Sequence, residues 1–72
     1  MKWISFWWEE QPTISGWYPI LICYDPHEGF FPHGAYWNGS EWDRNAVSHW
    51  LPTQAKDQES ANDEAYKHDP NW

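Results

Sequence analysis

Four histidines, one cysteine and eleven carboxylates are the side chains of this 72-residue chain whose types could do chemistry. His27 and His33 flank the run Glu28–Pro32, and with Glu28 they would offer three metal ligands if the strand ends met. Zinc sites are built from compact Cys or His pairs, roughly two to five residues apart, that one turn can aim at the same point. No such pair occurs, so these histidines read as surface or turn residues and no metal or cofactor is expected. His49, between Ser48 and Trp50, reads as a structural hydrogen bonder beneath the last strand. Glu9-Glu10 and the pair Glu41 and Asp43 resemble the two carboxylates of a glycosidase, which must stand about 5–9.5 Å apart across a cleft. A domain this small has little chain left to build that cleft and its supporting shell. Cys23 falls inside an apolar run, where a thiol is inert. With no phosphate loop and no nucleophile elbow, the chain reads as non-enzymatic.

The chemistry that remains is that of aromatic surface. Eight Trp, four Tyr and three Phe are present, and each buried ring removes about 150–250 Å² from water. A chain of this length buries only about 60% of its unfolded surface, and one cysteine permits no intrachain disulfide. A core of rings compensates for both. Surplus rings remain. Adjacent residues of a strand point to opposite faces, so one of Trp7 and Trp8 is expected outside, as is one of Trp17 and Tyr18. Exposed Trp and Tyr anchor protein interfaces, stack on nucleobases, or are buried in a homodimer.

The formal charge is −7, with Lys2, Arg44, Lys56 and Lys67 as the only cations. Nucleic-acid binding draws on phosphate neutralisation, so direct contact with DNA or RNA is not expected. An acidic surface suits a basic partner, and it also keeps an aromatic-rich domain soluble. Trp8, Trp17, Tyr18 and Trp37 are the expected anchors, with Glu9, Glu10, Glu41 and Asp43 steering. In the alternative of a small-ligand binder, rings stack a base while Arg44 and Lys2 meet its phosphate, and subunits must pool their few cations.

These residues need elements to hold them. Residues 1–52 are dense in aromatics, Gly and Pro, while 53–72 lack Ile, Leu, Val and Phe and carry five acids. The chain therefore divides into an aromatic-rich β domain, 1–52, and an acidic polar tail, 53–72. The tail is partly helical between Gln54 and Lys67, with no wide apolar stripe. Trp72 either docks back or meets a partner, or is incidental. Within 1–52, Lys2–Trp8 alternates like a strand, and Trp17–Asp25 reads as a second with Pro19 near its start or at an edge. Phe30–Trp37 returns, and Ala46–Pro52 closes. Asn38-Gly39 supplies the two positive-φ positions of a type I′ hairpin turn. That register puts Trp37 opposite Ser40 and Ala35 opposite Trp42, with both tryptophans on the packed face. The expected fold is mainly β: an antiparallel meander or half-open barrel of four to five short strands.

The order of landmarks resembles a family of small phage and prophage proteins described only as a domain of unknown function, numbered 551. Trp3-Ile4-Ser5, Pro12, Gly16, Ile20-Leu21-Ile22, Gly34-Ala35-Tyr36, Trp42 and Val47-Ser48-His49-Trp50-Leu51-Pro52 carry the likeness. It covers about residues 3–52. Gln11 replaces a Leu, Ser48 and Leu51 replace Thr and Met, and Trp7, Trp8 and Trp17-Tyr18 are additional rings. The resemblance implies a phage or mobile-element origin and a small β-rich fold, and it implies no reaction. No run approaches the ~18 apolar residues of a membrane span, and the six-residue stretch Trp3–Trp8 is shorter than the apolar part of a signal peptide, about 7–15 residues. The expected setting is the host cytoplasm. The expected function is a phage accessory protein that binds and inhibits a host protein, such as an antiviral-defence component. The alternatives are an oligomeric sponge for a nucleotide signal and a phage structural or assembly factor.

Overall fold

The computed structural model describes residues 2–69. It is mainly β, with four antiparallel strands in one sheet and one helix: β1 (Ile4–Ser5), β2 (Gly16–Ile22), β3 (Phe31–Trp37), β4 (Val47–Trp50) and α1 (Gln58–Lys67). The strands lie in the order β1-β4-β2-β3. Only β2 and β3 are neighbours in both sequence and sheet, so the connectivity is not the sequential meander expected. β4 inserts between β1 and β2 because β2, the most apolar strand, has two edges to cover.

Strand β2 shows why. Tyr18, Ile20 and Ile22 point to one face and Trp17, Pro19 and Leu21 to the other, and residues 18–22 are all buried. A strand buried on both faces reads as a continuous apolar run, as this one does. The first face holds a cluster of Tyr18, Ile20, Ile22, Ala35, Trp37, Trp42, Val47 and Trp50, with Ile4 and Phe6 against it. The second is covered by α1.

Pro19 lies mid-strand in an inner strand, not at a start or an edge. It is tolerated where β4 ends. Its carbonyl accepts from the Leu51 N–H at 3.0 Å, and the Leu51 carbonyl that a residue-19 N–H would have met accepts from Thr53 N–H at 2.8 Å. The ladder loses a donor without stranding an acceptor.

The polar segment after Pro52 is not a solvated tail. Ala55 pairs with Trp17 in an antiparallel bridge, and α1 packs on β2 and β3. Its only buried residues are Ala61 and Ala65, one turn apart, so the apolar stripe is as narrow as the sequence suggests. Close approach replaces width. A Cβ at Gly34 would stand 2.5 Å from the Gln58 carbonyl oxygen and 2.9 Å from the Ala61 Cβ, so only glycine lets the helix settle here. Asp57 caps the helix by accepting from Ser60 N–H at 2.8 Å, and the Trp3 indole donates to the His68 carbonyl at 2.7 Å. Residues 53–69 thus form the second layer of the same globule as 2–52. Trp72 lies outside the described residues.

The hairpin after β3 forms, one residue out of the expected register. Gly39 has φ 101°, while Asn38 is not among the positive-φ residues, so the central pair is Gly39-Ser40. Asn38 instead spends its side chain on the loop, its Oδ1 accepting from the Ser40 and Glu41 N–H groups at 2.8 and 2.9 Å. Trp37 then pairs with Trp42 rather than with Ser40. The partner changes by two positions, so the face is preserved. The two indoles meet edge to face at 5.0 Å. Trp42 is 9% exposed against 74% for Trp7 and 91% for Trp8, the order of burial that the hairpin implied.

Candidate functional site

The first strand is short for a local reason. After Ser5 the chain turns through Phe6–Glu9, tied by reciprocal bonds between Ser5 and the residues that follow. Ser5 Oγ accepts from Trp8 N–H and its carbonyl from Glu9 N–H, while Ser5 N–H donates to Glu9 Oε1. Trp7 and Trp8 therefore lie on a turn, not in a strand, and both are exposed instead of facing opposite sides. Phe6 points the other way and joins the core, edge to face with Trp37 at 5.7 Å and Trp42 at 6.1 Å. It also touches Trp7 edge to face at 5.0 Å. Trp7 and Trp42 thus stand on two sides of Phe6, and a groove of about 320 Å³ opens there, with Glu41, Arg44 and Val47 also in its lining.

Of the expected anchors, the structure leaves Trp8 fully available and Trp17 half-buried, edge to face with Tyr36 at 5.2 Å. Two do not serve. Trp37 is 1% exposed and Tyr18 5%, both committed to the core. Trp37 is held beneath Phe6 and Trp42, and Tyr18 lies between Trp42 and Trp50 with its hydroxyl donating to the Ile14 carbonyl at 2.6 Å. Burial raises the Tyr18 pKa, which a hydrogen bond from Gln54 partly offsets. Adjacent aromatics in the sequence carried no mark of which one the core would take.

The charged residues separate as well. Glu41 and Arg44 come together on the groove beside Trp7 and Trp42, while Lys2 is exposed and outside that lining. Among the described residues the ion pairs are those of Glu64 with Lys67 and His68, so Glu41 and Arg44 are unpaired. Glu9 and Asp43 are exposed but not idle. Asp43 accepts the Tyr36 N–H at 3.0 Å and returns its own N–H to the Tyr36 carbonyl, closing the outer edge of β3 as Glu9 closes that of β1 at Ser5. Glu10 has an exposed side chain, and its carbonyl receives the Trp50 indole N–H at 2.9 Å.

His49 lies within hydrogen-bond distance of Ser48 Oγ, 3.0 Å from Nδ1, with its ring edge to face against Phe30. Burial holds its pKa below the ordinary histidine value, with Glu9 pulling weakly upward. Among the described residues no three His, Cys, Asp or Glu side chains gather as metal ligands, and no helix is long and apolar enough to cross a membrane. A second, shallower concavity of about 660 Å³ lies between Trp17, His33 and the first turn of α1. No protein-family model, curated protein or solved structure matches the chain.

Proposed function

We propose that this is a non-enzymatic accessory protein, phage- or prophage-encoded, that binds and inhibits a host protein through its Trp7–Trp8 turn. One observation carries the binding part of that reading: two adjacent indoles, 74% and 91% exposed, on a turn fastened by its own hydrogen bonds. A tryptophan left in water forgoes the largest burial any side chain offers, so a small domain gains nothing from exposing two unless something covers them. Rigid presentation also lowers the ordering cost of association. Glu9 and Glu10, which follow the two indoles in the chain, and Glu41 on the groove beside Trp7, within a chain of net charge −7, favour a partner with a basic face. The phage origin is what the resemblance over residues 3–52 implies, and the inhibitory role is proposed from that origin taken together with the small size, the acidic charge and the exposed indoles.

The test compares the parent chain with a Trp7→Ala/Trp8→Ala variant as baits in lysate of a host cell, with captured proteins identified by mass spectrometry. The proposal expects one stoichiometric partner held by the parent and lost by the variant, bound less tightly as salt rises from 0.1 to 0.5 M, and less active when bound. A partner held equally by both baits, or none at stoichiometric yield, overturns it.

A further inference from the structure

We infer that the trough between Trp7 and Trp42 is a binding site for a planar aromatic group that carries a phosphate, the chemistry of a single nucleotide unit. The site goes beyond the protein-binding reading and does not rest on it. Its floor is Phe6, in edge-to-face contact with both indoles, at 5.0 Å from Trp7 and 6.1 Å from Trp42. Trp42 is fixed by its core packing, while Trp7 has most of its surface open to a stacked ring. A flat π-system fits such a trough because it can stack on the free indole while its edge meets Phe6.

The rim decides what the ring must carry. Arg44 lines the same groove and pairs with no carboxylate among the described residues, so its five N–H donors are uncommitted. A guanidinium fork matches phosphate geometry with two parallel hydrogen bonds, which a single hydroxyl or amide cannot use fully. Glu41, Ser40 and Asn45 share the lining and supply acceptors for the hydroxyl and amino groups a nucleoside presents. The volume of about 320 Å³ lies at the small end of ligand pockets, which suits one nucleotide unit rather than two. One cation, in a chain of net charge −7, also limits the ligand to a single phosphate. The concavity beside Trp17 lacks this pattern, because Asp57 and Glu59 line it and no Lys or Arg does.

The probes are adenosine 5′-monophosphate, adenosine and inorganic phosphate, titrated into the full chain with the indole N–H signals followed by NMR. The monophosphate is expected to move the Trp7 and Trp42 signals saturably, adenosine to move the same signals with roughly tenfold weaker affinity, and phosphate alone to leave them in place. Arg44→Gln is expected to reduce the monophosphate to the affinity of adenosine without changing the melting temperature. Trp7→Ala is expected to abolish both responses, whereas Trp8→Ala leaves both intact while weakening protein-partner capture. The inference is overturned by a monophosphate that shifts no indole saturably or shifts all of them alike. It is equally overturned if Arg44→Gln binds as the parent does, or if phosphate alone reproduces the effect.

Discussion

The two faces of the sheet are closed by opposite means. On one, Tyr18, Trp37, Trp42 and Trp50 interlock with Phe6 in edge-to-face contacts 5.0–6.1 Å apart between ring centres. On the other, a helix with two buried alanines rests directly on Gly34. Bulk excludes water from the first face, and proximity excludes it from the second. The large side chains bring a difficulty of their own: the indole N–H groups of Trp37 and Trp42 are buried without a hydrogen-bond acceptor. Each such group costs roughly 1–3 kcal/mol, which the ring burial must exceed. The two buried alanines carry no polar side-chain atom to satisfy, but their contact with Gly34 tolerates no added volume.

The largest break in this comparison comes from emptying the aromatic side. Trp42→Ala should cost about 3–5 kcal/mol in denaturant unfolding, toward the lower end because an unpaired N–H leaves with the ring. An unfolding midpoint equal to the parent's would show that the ring cluster is not what holds this face. Filling the other side should cost less. Gly34→Ala places a methyl group against the Gln58 carbonyl, an overpacking worth about 1–3 kcal/mol. Its signature is loss of the α1 signals in circular dichroism, with the Trp37–Trp42 contact retained.

Acid should sharpen the distinction. Asp57 has its pKa lowered by the hydrogen bonds from Ser60, so its contribution is complete above the unfolded carboxyl value and is lost as pH falls through the lower folded value. His49 has its pKa lowered by burial, so the unfolded chain takes up its proton first and stability declines as pH drops below about 6.5. Amide exchange should therefore report loosening around His49 between neutral and mildly acid pH, and at the start of α1 only in stronger acid. His49→Gln should remove the first step and leave the second. The smallest effect belongs to the surface. Trp8→Ala should leave stability within about 0.5 kcal/mol of the parent, since the ring is 91% exposed, and should change only partner capture.

Much of the first face was legible from residue types. The apolar run Trp17–Ile22 with its returning strand, and an Asn-Gly turn that brings two tryptophans to one side, follow from periodicity and turn chemistry, and both are present. The turn's central pair differed because Asn38 had two uses: positive φ, or a side-chain acceptor for the next two N–H groups. It took the second.

Local rules act on neighbours in the chain, and they suffice for the pairing of β2 with β3 and the burial of Trp42 relative to Trp7 and Trp8. They could not rank rings that are equally apolar, so Tyr18 and Trp37 look no different from anchors until contacts with Phe6, Trp42 and Trp50 commit them to the core. Nor could they foresee α1 as a layer, because its docking depends on Gly34, which lies 27 positions before Ala61 and lacks a side chain. The groove at Arg44 is of the same kind. Phe6, Trp7, Trp42 and Arg44 meet only when β4 inserts beside β2, and distances across a sheet are set by that packing, not by spacing along the chain.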